Sequence, residues 1–199
     1  MNTIGNDFDF NVDMSAVDWR HKGYDFHYEG MFDLAVACWQ KAADQGDVWG
    51  KYHLAEAYCM GEGVAQDRVK AAALYEDVVA CKELLYPDGS HLLLAPQCNA
   101  AYQWGRFHED KLIPNASLEK ALEYYNFAAG NGNRHHIHKL ADLYLKNESI
   151  AKDYVEKAGA LYAGFPFRFP AQEVSDWIHR LREAKENGVP VSVDENLPF

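Results

Sequence analysis

The stretch Tyr58-Cys59-Met60-Gly61-Glu62-Gly63-Val64-Ala65-Gln66-Asp67-Arg68-Val69-Lys70-Ala71-Ala72-Ala73-Leu74-Tyr75 decides how the whole chain is read. Its Gly-x-Gly could bring a backbone up to a phosphate or turn the chain between two helices. A phosphate loop needs more than is here. There is no third glycine and no following Lys-Ser/Thr pair, the central residue is the acidic Glu62, and the preceding pattern is helical where nucleotide loops follow a strand. Two glycines after one helical run and an aspartate before the next describe a hairpin turn with an N-cap.

The pattern returns on both sides. Gly50-Lys51-Tyr52-His53-Leu54-Ala55-Glu56-Ala57-Tyr58 aligns with Ala100-Ala101-Tyr102-Gln103-Trp104-Gly105-Arg106-Phe107-His108 and with His136-Ile137-His138-Lys139-Leu140-Ala141-Asp142-Leu143-Tyr144. A second motif follows each copy: Lys70-Ala71 with Leu74-Tyr75, Lys120-Ala121 with Tyr124-Tyr125, and Lys157-Ala158 with Leu161-Tyr162. Ala35 and Trp39 repeat its spacing upstream. Ala35 to Ala71 spans 36 positions, Ala71 to Ala121 spans 50, and Ala121 to Ala158 spans 37. The longer middle interval assigns an insert to residues 83–96, where Pro87, Asp88-Gly89 and Pro96 interrupt a helix. Small residues let paired helices approach, so Ala55, Gly105 and Ala141 are expected to meet Ala71, Ala121 and Ala158, with rings filling the space between pairs. A single pair cannot bury its apolar face, so the copies are expected to stack.

These residues resemble the Sel-one-like repeat (SLR) family, relatives of the tetratricopeptide repeat. Residues 48–80 carry the likeness almost throughout, in Gly61, Gly63, Val64 and Asp67 between the two helix motifs. Residues 98–133 keep both helices but place Lys111-Leu112-Ile113-Pro114 at the turn, and residues 135–163 have Asn147 and Ser149 at the glycine positions. The leading hairpin, with Gly30, Phe32, Ala35, Trp39 and Ala42 before Asp44-Gln45-Gly46, is closer to a tetratricopeptide repeat. The resemblance implies an all-α fold, a right-handed α/α superhelix of stacked antiparallel hairpins. The expected organisation is a tail over 1–15 and repeats over 16–170. Hairpins fall at about 16–47, 48–85, 96–133 and 135–164, a capping helix at 171–187 and a second tail at 188–199. Ser117 and Asp153 are expected to cap second helices as Asp67 does. Phe165-Pro166-Phe167-Arg168-Phe169-Pro170 reads as extended. After it, Val174, Trp177, Ile178 and Leu181 share one helical face that Asn187-Gly188 ends.

The formal net charge of −11 with no basic cluster disfavours nucleic acid and anionic lipid as partners. The N-terminus lacks the pattern of a signal peptide, and no segment approaches the ~20 apolar residues of a membrane span, so a cytoplasmic protein is expected. Cys38, Cys59, Cys81 and Cys98 match no zinc or disulfide spacing and are expected to be free thiols. His135, His136 and His138 with Asp142 raise a metal site or metal-dependent enzyme, but alignment puts His136 and His138 at interior repeat positions. No cofactor and no catalytic residue are expected. The resemblance implies a bacterial adaptor or scaffold that holds a protein partner in its concave groove. The residues implied at that groove are Lys51, His53, Glu56, Gln103, Arg106, His135, Lys139 and Asp142. An alternative is a cytoplasmic immunity protein whose acidic surface masks a basic toxin.

Overall fold

A computed structural model describes residues 8–81, 94–130, 133–146, 157, 160, 161, 163 and 171–189. All regular structure among them is helical: α1 (Ala16–Tyr28), α2 (Phe32–Asp44), α3 (Val48–Met60), α4 (Arg68–Ala80), α5 (Leu94–Glu109), α6 (Leu118–Ala129), α7 (Arg134–Lys146) and α8 (Ala171–Glu186). Lys157, Ala160, Leu161 and Ala163 are helical as well. The chain forms two compact units, residues 1–71 and 72–199. Asp153, Ala158, the 165–170 stretch and most of the insert, residues 83–93, lie outside the described residues.

The helices start where side chains can satisfy their first N–H groups. Asp67 Oδ1 accepts from the amides of Val69 and Lys70, and Ser117 Oγ from Lys120, both as the sequence predicts. Ser15 does the same for α1, and Asp47 caps α3 through a 2.6 Å bond from the Gly50 amide. Asp47 has a second use, since its other oxygen pairs with Arg20 of α1 at 2.9 Å. Pro96 departs from expectation. It does not break a helix but sits in the first turn of α5, where an N–H has no intrahelical acceptor to lose. Gln97 beside it donates to the Cys81 carbonyl, tying the start of α5 to the residue after α4.

In the first unit α1 packs on α2, α2 on α3 and α1 on α3. The approach of α1 to α2 is set by Gly23, because a Cβ there would collide with the indole of Trp39. The second unit repeats the device. Gly105 of α5 lies against Tyr125 of α6, and a Cβ would fall 2.8 Å from its ring carbons. The sequence expectation paired Gly105 with Ala121; the ring one turn further along is what the glycine accommodates. Ala55, Ala71, Ala121 and Ala141 are fully buried. Tyr75 meets Phe107 edge-on at 5.8 Å, and Trp177 of α8 is completely buried. The segment before α1 also packs: Phe10 stacks on Trp19 at 5.8 Å, and Phe8 meets Phe26 edge-on at 5.2 Å.

The opening turn has the geometry its glycines permit. Gly61 ends α3 at φ 78° and Gly63 follows at φ 70°, pressed so closely on the Phe32 carbonyl that a Cβ has no room. At the corresponding turn after α5, Lys111 takes φ 54° and Asn115 takes φ 59°. A left-handed conformation costs a non-glycine residue about 1–2 kcal/mol, partly offset by the lower chain entropy lost on folding. Lys111→Gly is therefore expected to stabilise the protein by about 0.5–1 kcal/mol. Gly63→Ala is expected to destabilise it by at least about 2 kcal/mol. Urea midpoints of the two variants check both signs.

Candidate functional site

The first unit contains an open cavity of about 430 Å³. Helix α1 supplies Tyr24, His27 and Tyr28, whose three- and four-residue spacing sets them on one face. Trp39 comes from α2, and His53, Glu56 and Met60 from α3. The turn adds Glu62, the acidic centre of Gly-Glu-Gly. The rings are mutually braced. His53 stacks on Trp39 at 5.2 Å and on Trp49 at 5.8 Å, while His27 tilts over Trp39 at 5.6 Å.

A chain of hydrogen bonds fixes the wall. Tyr52 donates its hydroxyl to Glu56 Oε1 at 2.7 Å, and Glu56 Oε2 lies 3.4 Å from His53 Nδ1. A carboxylate accepts only, so with neutral imidazole the proton belongs on Nδ1. Nε2 then accepts from the Tyr24 hydroxyl, 2.8 Å away. Hydroxyl, imidazole and carboxylate in series are the parts of a nucleophilic relay, yet burial raises the Tyr24 phenol above its ordinary value. That shift keeps the hydroxyl protonated as a donor, opposite to what an attacking oxygen needs. Burial likewise pushes the Cys38 thiol up to about 11, leaving it inert.

In the second unit, α5, α6 and α7 carry a variant of this wall. His135 Nε2 is 2.9 Å from the Tyr102 hydroxyl, and His136 stacks on the Tyr102 ring at 5.1 Å. Lys139 Nζ lies 2.8 Å from Glu109 Oε2 and 5.6 Å from the centroid of Tyr125. Tyr125 donates to the same carboxylate at 2.6 Å. Of the eight residues drawn from the sequence, His53 and Glu56 meet in the cavity, whereas Lys51 stands half-buried elsewhere on α3. Arg106 donates to Gln103 at 3.3 Å on the solvent side of α5, His135 joins Tyr102, Lys139 joins Glu109, and Asp142 pairs with Lys146 at 2.7 Å. Tyr24, His27 and Glu62 were missed. Their signals were the ring spacing of α1 and the charge inside the Gly-x-Gly.

His136 is buried and its Nδ1 donates to the Ala128 carbonyl at 3.0 Å. Among the described residues no group of three or more His, Cys, Asp or Glu is arranged to hold a metal ion. No helix among them is long and apolar enough to cross a membrane. Cys38, Cys59, Cys81 and Cys98 form no disulfide.

Helix pairs spaced by a glycine against a ring, with polar side chains on the first helices, define the class: an α/α hairpin repeat protein. The likeness can be made more particular. A protective antigen of uropathogenic Escherichia coli strains that displays an SLR fold is similar over 91% of this chain and 43% of its own length, at 23% identity and a TM-score of 0.56. A Sel1 repeat protein from Oxalobacter formigenes is similar over 92% of this chain and 70% of its own, at 18% identity and a TM-score of 0.61. The chain has the Sel1-repeat fold, and it spans less than half of the first of these structures. No protein-family model and no curated protein matches it.

Two buried histidines give the second unit a pH response. Burial holds His108 and His136 below the ordinary imidazole range. Lys120 adds to the effect at His108, with Glu123 and Glu76 opposing, and the bond to Ala128 opposes it at His136. Below about pH 6.5 the unfolded chain binds more protons than the folded one. This contribution to stability is thus complete above that pH and is lost as pH falls toward the folded-state values. The urea midpoint is expected to be lower at about pH 5 than at about pH 7.5, with a smaller drop in the double variant His108→Gln, His136→Gln. Equal drops in the two proteins would contradict the assignment.

Proposed function

We propose that this chain is a non-catalytic module that binds another protein through the polar face of its first helices. The observation that carries this reading is the open wall on α1 and α3. Tyr24, His53 and Glu56 are held in place by internal hydrogen bonds, yet Tyr28 remains 90% exposed and Met60 58% exposed at the rim. Exposed aromatic and methionine side chains around a braced polar centre are the composition of a protein-contact surface. The fold supports the same reading, since α/α repeats work by presenting extended surfaces. The protonated Tyr24 and Cys38 argue against a nucleophilic enzyme.

An adaptor or scaffold role follows from this reading. The net charge of −11 favours a partner with a basic surface, and it also suits the narrower reading of an immunity protein that covers a toxin. Retrieval of partners from the native cell with tagged protein, followed by reconstitution from purified components, separates the two. An adaptor is expected to retain a partner whose activity is unaltered, and an immunity protein to form a 1:1 complex that abolishes toxicity. In either case Tyr28→Ala with Met60→Ala is expected to weaken the purified complex at least about tenfold. An unchanged Kd would remove the α1/α3 face from the binding surface.

A further inference from the structure

We propose that the cavity formed by α1, α2 and α3 of the first unit takes up the guanidinium of an arginine side chain presented by a partner protein. This rests on the protein-binding reading above and specifies what enters. The lining combines the rings of Tyr24, His27, Trp39 and His53 with the carboxylates of Glu56 and Glu62, and includes no lysine or arginine among the described residues. Aromatic faces and fixed negative charge attract a cation. Tyr52 and His53 engage Glu56 at one oxygen each, and an ionised carboxylate offers about four acceptor sites. Glu62 faces His27 Nε2 at 3.7 Å and keeps nearly half its side chain in solvent, so it can still receive a donor.

The second unit shows the same location with a cation already in it. Gly23 against Trp39 and Gly105 against Tyr125 place the two hairpins in register, and in the repeat alignment Lys139 stands where His53 stands. There the Lys139 ammonium is held between the Glu109 carboxylate and the Tyr125 ring. In the first unit the position holds the His53 imidazole, stacked on Trp39, and the acidic groups come from α3 and the turn instead. One unit therefore meets its carboxylate with an internal ammonium, and the other places an imidazole on the ring and leaves Glu56 and Glu62 bordering an open cavity.

Arginine fits this lining better than lysine. Its guanidinium is planar, weakly hydrated and able to stack on rings while its N–H groups meet carboxylates. A polypeptide source fits better than a free amine, because the lining extends to exposed Tyr28 and Met60, apolar side chains that the rest of a peptide can cover.

The test uses the full chain and N-acetyl-glycyl-arginyl-glycinamide, followed by indole N–H shifts of Trp39 and Trp49 in NMR titrations. The lysine and citrulline peptides and free arginine serve as comparisons. Saturable shifts are expected with the arginine peptide, with affinity several-fold weaker for lysine and at least about tenfold weaker for citrulline. Glu56→Gln and Glu62→Gln are each expected to weaken binding about three- to tenfold. His53→Lys, which supplies an internal ammonium as Lys139 does, is expected to abolish binding while circular dichroism stays helical. Equal affinity for citrulline, full binding by folded His53→Lys, or no saturable shift up to about 10 mM peptide overturns the proposal. Free arginine binding as tightly as the peptide overturns the protein source. If the purified partner binds but the arginine peptide does not, this inference fails and the protein-binding reading stands. If the peptide binds while Tyr28→Ala with Met60→Ala leaves the partner complex unchanged, the reading of that face fails instead.

Discussion

A glycine in van der Waals range of an aromatic ring sets the spacing on which the other features depend. Gly23 beneath Trp39 and Gly105 beneath Tyr125 bring first and second helices close enough for the ring to span the hairpin and reach the next helix. That is why Trp39 can stack on His53 of α3 and why Tyr125 can lie under Lys139 of α7. A side chain at either glycine would push the ring outward and dissolve both the packing and the polar wall built on it. Interiors pack too densely for such a shift to be absorbed locally.

Polar side chains then do several jobs at once. Asp47 caps α3 with one oxygen and holds Arg20 of α1 with the other, so the start of one helix is fixed relative to its neighbour. Glu56 and Glu109 each accept a tyrosine hydroxyl, and burial, with the charge and hydrogen bond of that carboxylate added, raises the phenols of Tyr52 and Tyr125. Rotamer freedom is removed before any partner arrives, and that entropy does not have to be lost on binding.

Much of this was legible in the residue order. The hairpin, its glycine turn and the Asp67 and Ser117 caps follow from local chemistry, because propensity, period and capping point the same way. The candidate site was less legible. His53 and Glu56 emerged from the repeat alignment, since both lie on a first helix, but Tyr24 and His27 belong to a hairpin whose sequence departs from the others. Glu62 was visible only as a reason to reject a phosphate loop. What joins these residues is the distance between helices, set by Gly23, and no single-segment periodicity encodes it. Pro96 was misjudged for a related reason. A proline is a breaker or a tolerated first-turn residue according to where the helix begins, and the residues before it gave no cap to mark that point.

The rings of Phe8 and Phe10 have a consequence for how the first unit meets its surroundings. They pack on Trp19 and Phe26, which share the buried stripe of α1 with Gly23. A protease cut near residue 12 removes that cover while leaving every helix intact. The product keeps its helices but loses the ring contacts that Phe8 and Phe10 make with Trp19 and Phe26. The full burial of Trp19 and Phe26 thus draws on a short segment with no regular structure of its own.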